Sequence, residues 1–249
     1  LLETVTDPCI SSSKEAIAYL ETLRNMFLYL DVSDARADLG QIRVDVNVSL
    51  MKEGDTKLGT RVEMKNINSF KAGEEALEDE IERQEEVLED GGHIIQETRT
   101  WDPDRGVTLS MRSKENAHDY RYMPEPDLVP IITSDEEIEA YRKSLPELPD
   151  ARQARLESEY GLSGYDAGII TSSRQMAEYF DEVVAAGADA KLAANWIMGD
   201  LSKNLNAEGI GIEASPVDAK RLGEMIGLIS KGTIYSKIAK KVFDVYFNK

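Results

Sequence analysis

The chain has 249 residues, 41% hydrophobic and 31% charged, with a formal net charge of −18, so it has length for one large or two ordinary domains but not the charge of a bulk electrostatic nucleic-acid binder. Its one cysteine, Cys9, excludes an internal disulfide, and one Cys with two His (His93 and His118) makes a structural zinc site an unsuitable reading; any metal should be a hard cation held by oxygen, such as Mg²⁺. No apolar run approaches the ~18 residues of a membrane span and no signal-peptide pattern opens the chain, so no membrane association is expected.

Residues 14–30 place Ala16, Tyr19, Leu20, Leu23, Phe27 and Leu30 at helical spacing, with Ser11, Ser12 and Ser13 as candidate N-caps. Residues 42–49 and 60–65 then alternate like strands. In the first, Arg43, Asp45, Asn47 and Ser49 share one face and Val44, Val46, Val48 and Leu50 the other. In the second, Arg61, Glu63 and Lys65 oppose Val62 and Met64. If the two pair, one sheet face is apolar while the other carries two carboxylates among cations and an amide. That set suits a metal and a phosphate, although half-buried antiparallel sheets often have a polar outer face with no function.

Asn68-Ser69 can cap a helix that runs to Asp90 and stops at Gly91-Gly92. Its ten acidic residues between Glu74 and Asp90 read as a solvated face. Residues 94–101 and 107–111 form a second strand pair around Asp102-Pro103-Asp104-Arg105-Gly106. Beyond Pro130 the period is helical, with candidates at 134–144, 147–160, 173–186, 189–203, 216–230 and 232–247. The expected fold is α+β: an antiparallel-sheet domain over residues 1–133, then an all-α domain over 134–249.

Charge is uneven along the chain. Residues 214–249 carry seven Lys/Arg against three Asp/Glu, a net +4, and the rest carries −22. Such asymmetry hints at a polyanion contact, with an ordinary solvated face as the competing reading. Lys237, Lys240 and Lys241 would form one helical patch beside Lys220 and Arg221, with residues 234, 238, 242 and 245 as the apolar side.

Several segments together resemble one family. They are Arg43-Val44-Asp45-Val46-Asn47-Val48-Ser49, Glu63-Met64-Lys65-Asn66-Ile67-Asn68-Ser69, Gln96-Glu97-Thr98-Arg99 and Met111-Arg112-Ser113-Lys114-Glu115. Asp119-Tyr120-Arg121-Tyr122-Met123-Pro124-Glu125-Pro126-Asp127-Leu128, Ala194-Asn195-Trp196 and Ile238-Ala239-Lys240-Lys241-Val242-Phe243 continue the match in order. The chain resembles the B subunit of the glutamyl/aspartyl-tRNA amidotransferases along nearly its whole length.

The resemblance implies a cradle domain similar to the glutamine synthetase catalytic fold, present in part, and a ligase that works in two steps. ATP phosphorylates the side-chain carboxylate of Glu-tRNA(Gln) or Asp-tRNA(Asn), and ammonia then displaces the phosphate. The ammonia comes from glutamine at the A subunit, an amidase, and a small C subunit clasps the other two. A cytoplasmic or organellar-matrix location goes with it. Within that frame Asp45 and Glu63 are the candidates to bind or orient Mg²⁺ and act in catalysis. Arg43, Lys65, Arg99 and Arg121 are candidates for ATP phosphates or the acyl-phosphate, since phosphoryl transfer is mostly positioning and charge neutralisation. Asn47 and Asn66 are candidates to hold water or substrate amide. For Arg99 and Arg112 an ion pair with a neighbouring Glu competes. Lys220, Arg221, Lys237, Lys240 and Lys241 are the candidate tRNA contacts. Trp196 reads as core, and His93 and His118 receive no role.

The match has departures. Asp7-Pro8-Cys9-Ile10-Ser11-Ser12-Ser13 stands where the family usually reads Glu-Pro-Asp-Ile-Arg-Ser-Pro, Asp38-Leu39-Gly40 stands for Glu-Glu-Gly, and Tyr235 replaces a small residue. The family's N-terminal section, with a His and Glu metal constellation, and its C-terminal tail domain have no counterpart here, so this chain alone is expected to be inactive. A non-catalytic tRNA-binding or assembly fragment is the alternative.

Overall fold

The computed structural model describes residues 2–113 and 126–248, which divide into two compact units. The first comprises residues up to Arg24 and Ser33–Ile138, and the second Asn25–Val32 and Glu139–Lys249.

Helix α1 (Ser13–Tyr29), which belongs to the first unit up to Arg24, begins where the Glu15 carboxylate accepts the backbone N–H and hydroxyl of Ser11, at 2.8 and 3.0 Å. Strands β1 (Val46–Val48) and β2 (Val62–Lys65) pair antiparallel, with Val46 opposite Met64, Asn47 opposite Glu63 and Val48 opposite Val62. Gly59 lies so near the Leu50 carbonyl that a Cβ there would sit 2.0 Å from the oxygen; only glycine allows the loop between the strands to close this way. Helix α2 (Phe70–Glu89) is capped by the Ser69 hydroxyl, which accepts the Ala72 N–H at 3.1 Å. Strands β3 (Glu97–Asp102) and β4 (Val107–Ser113) follow around a turn in which the Asp102 carboxylate accepts the N–H groups of Asp104 and Arg105.

The sheet order is β1-β2-β3-β4, and the expectation of a purely antiparallel sheet is corrected at its centre: β2 and β3 run parallel. The reason is α2. A helix between two strands returns the chain to its starting edge, so the next strand enters in the same direction. The register sets Glu63 beside Thr98, Met64 beside Arg99 and Lys65 beside Thr100. Met64, Ile67, Ala76 and Leu77 form a small core, with Ala16, Val46, Val48 and Trp101 packed around it. One sheet face therefore carries Val46, Val48, Met64, Arg99 and Trp101 toward α2. The other carries Asp45, Asn47, Glu63, Lys65, Thr98 and Thr100.

Residues 25–32, placed by sequence order in the first domain, pack in the second unit, where the Tyr29 hydroxyl donates to the Thr171 carbonyl at 2.9 Å and the Asn25 amide to the same oxygen at 3.1 Å. Helix α3 (Asp135–Ser144) buries no side chain. The helices α4 (Pro149–Tyr160), α5 (Gly164–Thr171), α6 (Arg174–Ala185), α7 (Ala190–Trp196), α8 (Ser202–Glu208), α9 (Ala219–Ser230) and α10 (Ser236–Phe247) follow. Ser163, Ser173, Asp189 and Asp218 cap four of them, each side chain accepting an N–H three residues on. Leu156, Phe180, Ile197, Leu201, Leu222, Ile226 and Phe243 are buried together, and Trp196 joins them at 7% exposure as expected.

Three details differ from expectation. Helix α5 has no counterpart among the expected elements, because Gly161 and Gly164 read as breaks between helices; burial of Ala167 and Ile170 outweighs the cost of the glycines it contains. The single helix expected over 189–203 is α7 and α8 joined by a π turn, Ile197–Leu201, whose Ile197 carbonyl accepts the Ser202 hydroxyl at 2.6 Å. Ile234, just before α10, and Val242 on it pack on the core, but Ile238 and Val245 remain 49% and 50% exposed, while Ala239 and Phe243 take the buried positions. The Phe243 ring, 5.6 Å from that of Trp196, decides the rotation of the helix.

Candidate active site

The polar sheet face is built by parity. Val62 and Met64 are 0% and 1% exposed, so Glu63 and Lys65 must project from the opposite side of β2. On the neighbouring chain the alternation extends past the hydrogen-bonded strand: Arg43, Asp45 and Asn47 are exposed while Ile42, Val44, Val46 and Val48 are partly covered. Lys65 Nζ lies 3.4 Å from Asp45 Oδ2 and 3.4 Å from Glu63 Oε1. The two acids singled out in the sequence are thus brought to one ammonium. Their side chains are 52% and 15% exposed, so one faces solvent and the other is nearly sheltered. The Asp45 carboxylate first, and that of Glu63 second, holds the Lys65 ammonium above its usual pKa.

Strand β3 completes the face. The Thr98 hydroxyl donates to Glu63 Oε2 at 3.2 Å, and the Asn66 amide donates to Thr100 Oγ1 at 3.1 Å. Asn66 takes φ +63°, a left-handed backbone that Asn tolerates better than most residues, directly after Lys65. Strain of this kind gathers at ligand sites, and here it turns the amide toward Thr100. Neither threonine was singled out from the sequence. Their signal was available in the alternation Thr98-Arg99-Thr100, but only the register shows which of these faces Glu63.

Arg99 is not part of this face. It neighbours Met64 in register and points to α2, where its guanidinium pairs with Glu80 Oε2 at 3.2 Å and with Glu97, and donates to the Thr108 hydroxyl and carbonyl at 3.1 and 2.7 Å. The ion-pair reading of Arg99 is the one its position supports. Glu80 itself corrects the reading of the α2 acids as uniformly solvated: it is 0% exposed. Its oxygens also accept from Arg83 Nε at 2.8 Å, Gln84 Nε2 at 2.8 Å and Thr108 Oγ1 at 3.1 Å. The sequence signal was position, since Glu80 and Gln84 fall three and seven residues after buried Leu77. Burial opposes the charge on nearby Glu97, but the Ser110 hydroxyl and the Arg99 guanidinium outweigh it and hold that carboxyl below its usual pKa.

Arg43 is exposed and lies back over Gly40, with Nε and Nη2 3.9 Å from where a Cβ would stand. Arg121, with His118, Tyr120, Tyr122 and Pro124, lies outside the described residues, as does the side chain of Arg112. The basic residues of the helical unit, Lys220, Arg221, Lys237, Lys240 and Lys241, are all exposed. Arg221 pairs with Asp218 at 3.2 Å and stands 6.0 Å from the Tyr246 ring, and Lys240 pairs with Asp200 at 3.1 Å.

The donor chemistry of Asp45 and Glu63 fits a hard divalent ion. Among the described residues no three His, Cys, Asp or Glu side chains gather to hold a metal by themselves. Mg²⁺ does not require such a cage, since it is usually bound by one or two carboxylates completed by water and substrate phosphates. Among the described residues no helix is long and apolar enough to cross a membrane.

Residues 1–139 match the GatB/GatE catalytic domain model, and residues 178–249 match a second model described as GatB domain. Proteins named as the B subunit of an aspartyl/glutamyl-tRNA(Asn/Gln) amidotransferase are similar throughout. That of Geobacter sulfurreducens is 54% identical over 244 residues, covering 98% of this chain and 51% of its own length. That of Hydrogenovibrio crunogenus is 53% identical with the same coverage, and that of Thioalkalivibrio sulfidiphilus is 51% identical over 249 residues, 52% of its length. The chain spans about half the length of these relatives. With the catalytic-domain match covering more than half of its residues, the chain belongs to the GatB/GatE family.

Proposed function

We propose that this chain is part of a B subunit that works with an amidase, the A subunit, and a small C subunit to convert Glu-tRNA(Gln) or Asp-tRNA(Asn) to the amidated form. The observation that carries the reading is the pair Asp45 and Glu63 on one ammonium, on the sheet face opposite α2. Family membership and the names of the relatives support it. The sheet with α2 is read as part of a cradle similar to glutamine synthetase, in a protein of the cytoplasm or an organellar matrix.

In this reading the tRNA-bound side-chain carboxylate attacks the γ-phosphorus of ATP, ADP leaves, and ammonia derived from glutamine then attacks the acyl carbon and expels phosphate. Mg²⁺, when bound, neutralises phosphate charge. Asp45 and Glu63 hold it, directly or through water. Lys65 and Arg43 supply positive charge toward the phosphates, with Arg43 offering a two-pronged donor. Asn47 and Asn66 present amides on the same side, suited to fixing water or the acyl group. Arg99 serves the scaffold beneath. The exposed cations of α9 and α10 grip tRNA phosphates without reading sequence.

In the assembled enzyme, Asp45→Asn or Glu63→Gln should lower phosphorylation of the tRNA-bound acid by about a hundredfold or more, the scale seen when one preorganised electrostatic partner is removed. Glutamine hydrolysis at the amidase should persist. Unchanged phosphorylation in both variants would overturn the reading.

A further inference from the structure

We infer that Thr98 is a positioning residue that fixes the direction in which Glu63 presents its carboxylate. The inference rests on the reading of Glu63 as an acid of the phosphorylation site. Thr98 is 2% exposed, so it is too sheltered to touch a substrate, and what its hydroxyl touches is Glu63 Oε2, at 3.2 Å. A buried hydroxyl needs a partner, and against a carboxylate it must be the donor. With Oε2 tied across the β2–β3 seam, Oε1 is the oxygen left toward Lys65, at 3.4 Å, and through Lys65 toward Asp45. One hydroxyl thereby anchors one oxygen of a side chain with three rotatable bonds.

The donor is itself held from below. Thr98 is β-branched, which restricts its χ1. The next residue, Arg99, is anchored on the opposite face by Glu80, Glu97 and Thr108. The β3–β4 register shifts between Thr98 and Arg99, an irregularity of the kind that re-aims a side chain beside a site. The buried ion network under α2 and the acid pair on the other face are thus joined through two consecutive residues of β3. Groups that orient a metal-binding carboxylate typically affect affinity by about 10–100-fold.

The test uses the full-length protein in its assembled complex, with Mn²⁺ as the probe ion. Its binding with ATP is followed by electron paramagnetic resonance, alongside KM for MgATP, kcat and the melting temperature. Thr98→Val keeps the shape and removes the donor, and should weaken Mn²⁺ binding about tenfold and raise KM for MgATP with little change in melting temperature. Thr98→Ser restores the hydroxyl and should restore binding. If Thr98→Val fails to assemble, Thr98→Ala against Thr98→Ser makes the same comparison. Wild-type Mn²⁺ binding in the hydroxyl-free variant, with binding lost in Glu63→Gln, would overturn the role of Thr98 and leave Glu63 in place. Equal weakening by Val and Ser would also overturn it. Wild-type binding in Glu63→Gln would instead remove the reading of Glu63, and the inference with it.

Discussion

Beneath α2, Glu80 is sealed from solvent and receives donors from two arginines, a glutamine and a threonine, whereas on the opposite face of the same strands Asp45 and Glu63 meet one part-exposed ammonium at 3.4 Å. The two faces use the same residue types within a few ångströms of backbone. They differ in what can be exchanged. A carboxylate enclosed by fixed guanidinium, amide and hydroxyl donors cannot give them up without leaving buried charge behind. Acids that share a flexible lysine can replace it with a ligand cation, because Lys65 can turn to solvent or to a phosphate.

The largest effect that tests this contrast is on stability. Glu80→Ala should cost about 3–5 kcal/mol, the range for breaking a buried pair from one side, read by urea unfolding of the first unit's signal. A cost below about 1 kcal/mol, the range of an exposed pair, would make the two faces equivalent. Adding Arg99→Ala to Glu80→Ala should cost less than the sum of the two, since each leaves the other's charge stranded. On the other face, Asp45→Asn should change stability by less than about 1 kcal/mol, as expected of an exposed pair, while abolishing most of the proposed phosphorylation.

The pH dependence should separate the faces by sign. Glu97, on the α2 side, has its pKa lowered, so it contributes stability above the ordinary carboxylate value, ~4.3, that is lost as pH falls through the folded value. Lys65 has its pKa raised, so its contribution is complete below ~10.4 and is lost as pH rises through the folded value. Glu97→Gln should therefore flatten the acid limb of a stability profile and Lys65→Met the alkaline limb. The reverse assignment would contradict the electrostatics of both faces. The smallest effect lies away from the sheet: reversing charge at Lys237 and Lys240 should weaken tRNA affinity and reduce the slope of log affinity against log salt by about 1 for each phosphate no longer gripped, leaving ATP chemistry intact. An unmoved slope would make the α10 cations an ordinary solvated surface.

Much of this was legible in the amino-acid order. Alternation along residues 42–49 and 60–65 is a local property, so the shared face of Asp45, Glu63 and Lys65 followed from it without any tertiary information. The cap at Ser69, the turn at Asp102 and most helix positions are equally local, and the ordered motifs were sufficient to place the chain in its family. Tertiary structure decided what depends on partners distant in sequence. The parallel β2–β3 register turned Arg99 away from the acids and Thr98 toward them, because facing across two strands is set by the helix that joins them. Packing under α2 made Glu80 an interior charge, an outcome its spacing from Leu77 permits but does not fix, and the contact of Phe243 with Trp196 chose which side of α10 is buried. Local periodicity says which residues share a face; only the assembled layers say what that face meets.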